Sequence, residues 1–168
     1  MSLVIRAEAP ADIPAIEALT VAAFAQAPHS SGTEQFIVNG LRRAGQLSLS
    51  LVAEDGGELV GHVALSPVRI SSGATSWYGL GPISVAPARQ GAGIGSRLMG
   101  AALAGLRELG AEGCVLLGDP AYYSRFGFIV RPGLVLPGVP AEYFQAFSFS
   151  GEWPVGDVSY HLAFEATD

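Results

Sequence analysis

The 168-residue chain is 49% apolar and 14% charged, which excludes intrinsic disorder and leaves enough length for a buried core. Its net charge is −6 and its nine basic residues are all arginine, a balance that argues against nucleic acid as a partner. No apolar run reaches the ~20 residues of a membrane span, the first residues lack the segments of a secretion signal, and Cys114 has no second cysteine to pair with. The expectation is a cytoplasmic, disulfide-free protein that does not bind a membrane.

In chain order, residues 3–6 read as a short strand. Ile13, Ile16, Leu19, Ala23 and Phe24 then recur at helical spacing, with Asp12 placed to cap. Residues 27–33 form a loop, and Thr33 is placed to cap a second helix through Phe36, Ile37 and Leu41. Leu47, Leu49 and Leu51 alternate with serines, which marks a strand. "EDGGE" at 54–58 is a hairpin turn, and 59–68 is the returning strand. A further strand is expected over 75–86. Pro82 within it cannot donate to a ladder, so pairing must fail or bulge there.

"ARQGAGIGSRLMG" at 88–100 follows this strand and opens a helix marked by Ile94, Leu98, Ala102 and Leu106. "CVLLG" at 114–118 reads as a buried strand and "DPAYYSRFGF" at 119–128 as a short helix closed by Gly127. The aromatic tail ends in an expected strand at 157–166. No repeat or linker interrupts the chain, so it reads as one α+β domain over 1–168.

A glycine loop between strand and helix aims backbone N–H groups and a helix N-terminus at one point, which suits a phosphate. Arg89, Arg97 and Arg125 are placed to add positive charge. The chain contains no lysine, so neither a Walker A loop nor a lysine Schiff base can be built. A dinucleotide fingerprint starts well at Gly91-Ala92-Gly93 but meets Ser96 at its sixth position. The pyrophosphate of coenzyme A is the remaining reading.

Gln90-x-x-Gly93-x-Gly95, with Val85-x-Pro87 before it and "YYSRFGF" after the next strand, resembles the signature of the GNAT N-acetyltransferase superfamily. The stretches "ELVGHVALSPV", "LGDPAYYSRFGF" and "VSYHLAF" are similar to a bacterial subgroup of predicted N-acetyltransferases. The resemblance implies a three-layer α+β fold. Its mixed, mostly antiparallel twisted sheet has splayed central parallel strands and flanking helices. It also implies acetyl-CoA as cosubstrate, no metal, and a small-molecule or peptide amine as acceptor. It is compatible with a homodimer.

On that resemblance, the backbone of Ile83, Ser84 and Val85 meets the acetyl and pantetheine amides. Gln90, Gly91, Ala92, Gly93, Ile94, Gly95 and Ser96 line the pyrophosphate. Tyr123, four residues before Gly127, takes the place of the family's general acid, with Tyr122 as the weaker candidate and aromatic packing as the plain alternative. Where some members carry a glutamate base this chain has Gly79, so the base falls to His62, His29 or Glu34. Cys114 reads as a buried apolar residue and not as a nucleophile. Asp119 reads as a helix cap, and His161 as a packing residue. The acceptor pocket is expected from the first two helices, the 27–33 loop and the aromatic segment 143–153, whose run at 142–149 reads equally as core packing. A binding module that keeps acyl-CoA without catalysis is the alternative function.

Overall fold

The computed structural model describes residues 2–25, 27 and 30–168. Six strands form the main sheet, in spatial order β1-β2-β3-β5-β6-β8. They are β1 (Leu3–Ala7), β2 (Leu49–Asp55), β3 (Glu58–Pro67), β5 (Trp77–Val85), β6 (Gly113–Leu117) and β8 (Phe144–Ser148). Only β5 and β6 run parallel, joined by the crossover helix α3 (Ile94–Glu108); every other neighbouring pair is antiparallel. The expected α+β class and mixed sheet are therefore present.

The sheet has helices on both faces. On one face α3 packs against β2 and β3, where Val63 and Leu65 meet Leu98 and Leu106 in the main core. A side chain at Gly61 would come within 2.8 Å of Leu98, which fixes this face of β3. By strand alternation His62, Ala64 and Ser66 point to the other face. There α1 (Ile13–Phe24) and α2 (Glu34–Arg43) pack on each other, and α1 lies against β3 and β5.

Local chemistry explains most boundaries. The β2–β3 turn carries Gly56 at φ +58° and Gly57 at φ +87°, the left-handed pair that a two-residue hairpin requires. Two expected caps are corrected. Asp12 does not cap α1. Its carboxylate accepts from the Ala9 N–H at 2.7 Å and pairs with Arg6, closing the turn ahead of the helix. Thr33 makes no side-chain cap bond either; its hydroxyl is hydrogen-bonded to Ser31 Oγ instead.

The tail departs further from expectation. The strand anticipated over 157–166 is only β9 (Gly156–Ser159), after which His161 Nδ1 accepts from the Ala163 N–H at 3.0 Å and starts a 3-10 turn. β9 joins β4 (Arg69–Ile70) and β7 (Leu134–Val135) in a small second sheet. Of the two readings of the aromatic run, core packing is the one found: it supplies β8, which buries Phe144, Gln145 and Ala146 at the sheet edge next to β6.

The central feature is how β5 meets its neighbours. Its parallel pairing with β6 covers only Trp77–Gly113, Tyr78–Cys114 and Gly79–Val115. Beyond Gly79 the two strands separate. On the β3 side the register shifts between Val63 and Leu65, opposite the cis Gly81–Pro82 peptide. The interruption read from Pro82 is thus a bulge toward β3 and a splay from β6.

The root of this splay is tightly packed, since a Cβ on Gly113 would overlap the Trp77 ring. Gly113→Ala is expected to lower folding stability by about 1–3 kcal/mol through overpacking. Urea unfolding measures this, and an unchanged midpoint would contradict the packing described.

Candidate active site

The free edge of β5 can be derived from the ladder. The Ala86 N–H donates to Val60 O at 2.9 Å, so hydrogen-bonded positions on this edge alternate back to Ser84, which pairs with His62. The peptide groups of Ile83 and Val85 therefore turn away from β3, into the gap where β6 has departed. The Val85 carbonyl is reached there by Gln90 Nε2 at 3.3 Å. Ser84 differs from its two neighbours. Its backbone is committed to β3, and its buried hydroxyl lies on the face of α1.

The gap leads into the glycine loop. Gly91 and Gly93 hold φ of +81° and +85° with open space where a Cβ would stand. They are required by backbone angle, not by crowding. Gly95 is different: its Cβ would lie 3.1 Å from the Tyr122 hydroxyl. Gly93 is the N-cap of α3, so the N–H groups of Ile94, Gly95 and Ser96 have no intrahelical acceptor.

Beside them is a cavity of about 370 Å³, lined among others by Arg89, Gln90, Gly91, Ser96, Tyr122 and Arg125. Free N–H donors, a helix N-terminus and two guanidinium groups together fit a pyrophosphate. Arg89 is oriented by an ion pair with Asp55, and the Arg125 guanidinium sits 4.4 Å from the Tyr122 ring centre. Arg97 and Ala92 are exposed and lie outside that lining.

Tyr123 ends α4 (Pro120–Tyr123), whose N-cap Asp119 accepts from the Ala121 N–H at 2.9 Å as expected. The Tyr123 ring covers Gly118 at the end of β6 and meets Phe128 edge-on. It therefore stands at the mouth of the gap while also joining the core. Its hydroxyl has no protein partner among the described residues. Burial, with smaller contributions from Tyr122 and Asp119, pushes the phenol up to about 12. Tyr122, the weaker sequence candidate, is the tyrosine that lines the loop cavity.

Gly79, where the family resemblance would place a carboxylate, is covered by Tyr160, and a Cβ there would overlap that ring. Among the other base candidates, Glu34 is engaged by Ser30 and Ser31, and His29 lies outside the described residues. His62 is fully buried on β3. Its Nε2 lies 2.8 Å from Ser50 Oγ, Ser50 donates to Glu8, and Glu8 pairs with Arg42 at 2.8 Å. Burial tends to raise the Glu8 carboxyl, but Arg42 and Ser50 outweigh it and hold it below its usual value. Burial drives the His62 imidazole down to about 4, with Arg42 adding to that and Glu8 opposing it. Cys114 is sealed in the core and burial pushes its thiol upward, which leaves it inert.

Sequence reasoning did not single out Glu8, Ser50 or Arg42, because their proximity exists only once β1, α2, β2 and β3 assemble. The segment 143–153 lines none of the three cavities described. A cavity of about 830 Å³ lies against Pro67–Arg69 and Ser159–Leu162. Among the described residues no three metal-ligating side chains converge, and no helix is long and apolar enough to cross a membrane.

The family model described as an acetyltransferase (GNAT) domain matches residues 4–131. An uncharacterised N-acetyltransferase, YhbS of Escherichia coli strain K12, is 41% identical over 127 residues, covering 75% of this chain and 73% of that protein. A GNAT family acetyltransferase from Brucella melitensis, solved in complex with acetyl-CoA, superposes with a TM-score of 0.87 at 49% identity, covering 96% of this chain and 97% of that one. The crystal structure of E. coli YhbS with CoA also gives 0.87, at 36% identity over 99% and 93% of the two chains.

The buried imidazole has a consequence for stability. Its folded value of about 4 lies below the ordinary 6.5, so between these pH values the unfolded chain binds more protons. Stability is complete above about pH 6.5 and falls by roughly 3 kcal/mol as pH drops toward 4. Urea unfolding across that range, with an NMR titration of His62, checks this. An imidazole that titrates near 6.5 in the folded protein would contradict it.

Proposed function

Since the chain belongs to the GNAT acetyltransferase family, we propose that it transfers an acetyl group from acetyl-CoA directly to a primary amine. The acceptor is a small-molecule or peptide amine, and residues 1–168 act as a single catalytic domain. The observation that carries this reading is the unpaired edge of β5, continuous with the positive-φ loop at the start of α3. A thioester and its pantetheine amides need extended backbone partners, and the pyrophosphate needs N–H donors one strand-length away. Ile83 and Val85 supply the first, and Gly91 through Ser96 supply the second.

In this reading the pantetheine arm replaces β6 as the partner of β5. The Ile83 N–H, aimed into the gap, stabilises negative charge developing on the thioester oxygen. The amine nitrogen bonds to the carbonyl carbon, the carbon–sulfur bond breaks, and its electron pair leaves on sulfur. Tyr123 protonates the departing thiolate. The burial that weakens its phenol also destabilises the thiolate, so the donor and the acceptor of the proton shift in the same sense. His62 serves as the base for the amine proton.

A second reading is favoured by Gly79 and the Tyr160 ring that covers it, which leave that position without a carboxylate: an acyl-CoA-binding module without turnover. Thiol release from acetyl-CoA with spermidine, 2-phenylethylamine or alaninamide separates the two. Acetyl-CoA is expected to raise the melting temperature by mass action, whereas NAD is not. Tyr123→Phe is expected to lower kcat by about a hundredfold with acetyl-CoA affinity nearly unchanged. An unaltered kcat removes Tyr123 from the mechanism, and no thiol release with any of the three amines favours the binding module.

A further inference from the structure

Three buried polar atoms lack a hydrogen-bond partner among the described residues: His62 Nδ1, Ser66 Oγ and Ser84 Oγ. Native interiors leave few such atoms, and each one is costly when unfilled. These three are not scattered. His62 and Ser84 are directly paired across β3 and β5, and Ser66 follows on the same face of β3. Ser84 is flanked by Ile83 and Val85, whose peptide groups face the gap. His62 therefore sits one strand from the Ile83 and Val85 peptide groups, with Ser84, the other unpartnered side chain, opposite it in the register.

The hydrogen bonds behind His62 determine which nitrogen carries the proton. Glu8, held ionised by Arg42 through contacts of 2.8 and 3.0 Å, can only accept. Ser50 gives its single proton to Glu8. Its oxygen must then accept from His62 at 2.8 Å, which places the imidazole proton on Nε2 and leaves the Nδ1 lone pair bare. The outer end of this chain is reached by solvent through a cavity of about 320 Å³ lined by Glu8, Arg42 and Ser50.

We propose that Arg42, Glu8 and Ser50 are positioning residues that hold His62 in the Nε2–H tautomer, so that its unpartnered Nδ1 accepts the proton of the attacking amine. This rests on the transfer reaction proposed above and specifies which nitrogen of its base takes the proton and what holds that nitrogen free. As the amine nitrogen bonds to the carbonyl carbon it becomes far more acidic, so a weakly basic buried imidazole is sufficient. The N–H bond breaks, its electron pair stays on nitrogen, and the proton forms Nδ1–H. Glu8 stabilises the resulting imidazolium through Ser50. After coenzyme A leaves, the imidazolium releases its proton to water, and solvent returns one to Tyr123. Ser84 Oγ, on the same face of the sheet as His62, orients the acceptor nitrogen.

Two measurements test this. Nitrogen-15 NMR of the histidine rings reads the tautomer without any acceptor, and Nε2–H is expected for His62 at pH 7. A dominant Nδ1–H form overturns the proposal. Kinetics then use whichever of spermidine, 2-phenylethylamine and alaninamide turns over fastest. Ser50→Ala is expected to lower kcat about tenfold, with the KM for acetyl-CoA unchanged and the Nε2–H signal lost. Ser50→Thr, which keeps the hydroxyl, is expected to restore both. Melting temperature and acetyl-CoA binding establish that each variant is folded. A folded Ser50→Ala protein with full kcat overturns the relay alone. Failure of the wild type to acetylate any of the three amines overturns the transfer reaction and the relay with it.

Discussion

Everything in the proposed site depends on one unmade set of hydrogen bonds. β5 and β6 pair as parallel strands at Trp77–Gly79 and then separate. A central strand that loses its partner exposes backbone donors and acceptors, which is unfavourable inside a fold. The fold accepts this cost because the opposite edge of β5 remains paired with β3, and the separated end of β6 is secured by β8 on its far side. The sheet thus keeps a slot of extended backbone without losing its core.

The packing around the slot explains why it is stable enough to be reproducible. Trp77 fills the space beside Gly113 at the root of the pair, and the main core of α3, β2 and β3 lies on one face. Tyr123 covers Gly118 at the far end, where β6 gives way to α4. The slot is held open by side chains at both ends. At this same far end the chain leaves β5 and turns through Gly91 and Gly93 into the N-terminus of α3, so strand edge and helix terminus converge by direct covalent continuity.

The other face of the sheet has a different character. Ser50, His62, Ser66 and Ser84 are buried polar residues on three adjacent strands, behind α1 and α2. Polar residues there gain nothing for packing that an apolar residue would not supply better. The Glu8–Arg42 pair satisfies one end of the row and leaves the other end unfilled, toward β5. A polar row partnered at its solvent end and unpartnered at its slot end is directional, which favours a chemical reading over a structural one.

Much of this was legible from the residues alone. The glycine spacing, the helix behind it and the Pro82 interruption are local signals, because positive φ and a missing N–H act on the chain wherever it is placed. The β2–β3 hairpin follows from Gly56-Gly57 for the same reason. What the sequence could not determine was anything that requires distant segments to meet. β8 looked like an aromatic wall because strand pairing with β6, not composition, decides its role. The tail turned at His161 because a side-chain cap competed successfully with strand extension. Arg42, Glu8 and Ser50 come from α2, the end of β1 and β2, so no spacing rule links them to His62. Only the folded sheet brings them into line, because hydrogen-bond geometry acts over about 3 Å while the bonded residues lie 12, 34 and 42 positions apart in the chain.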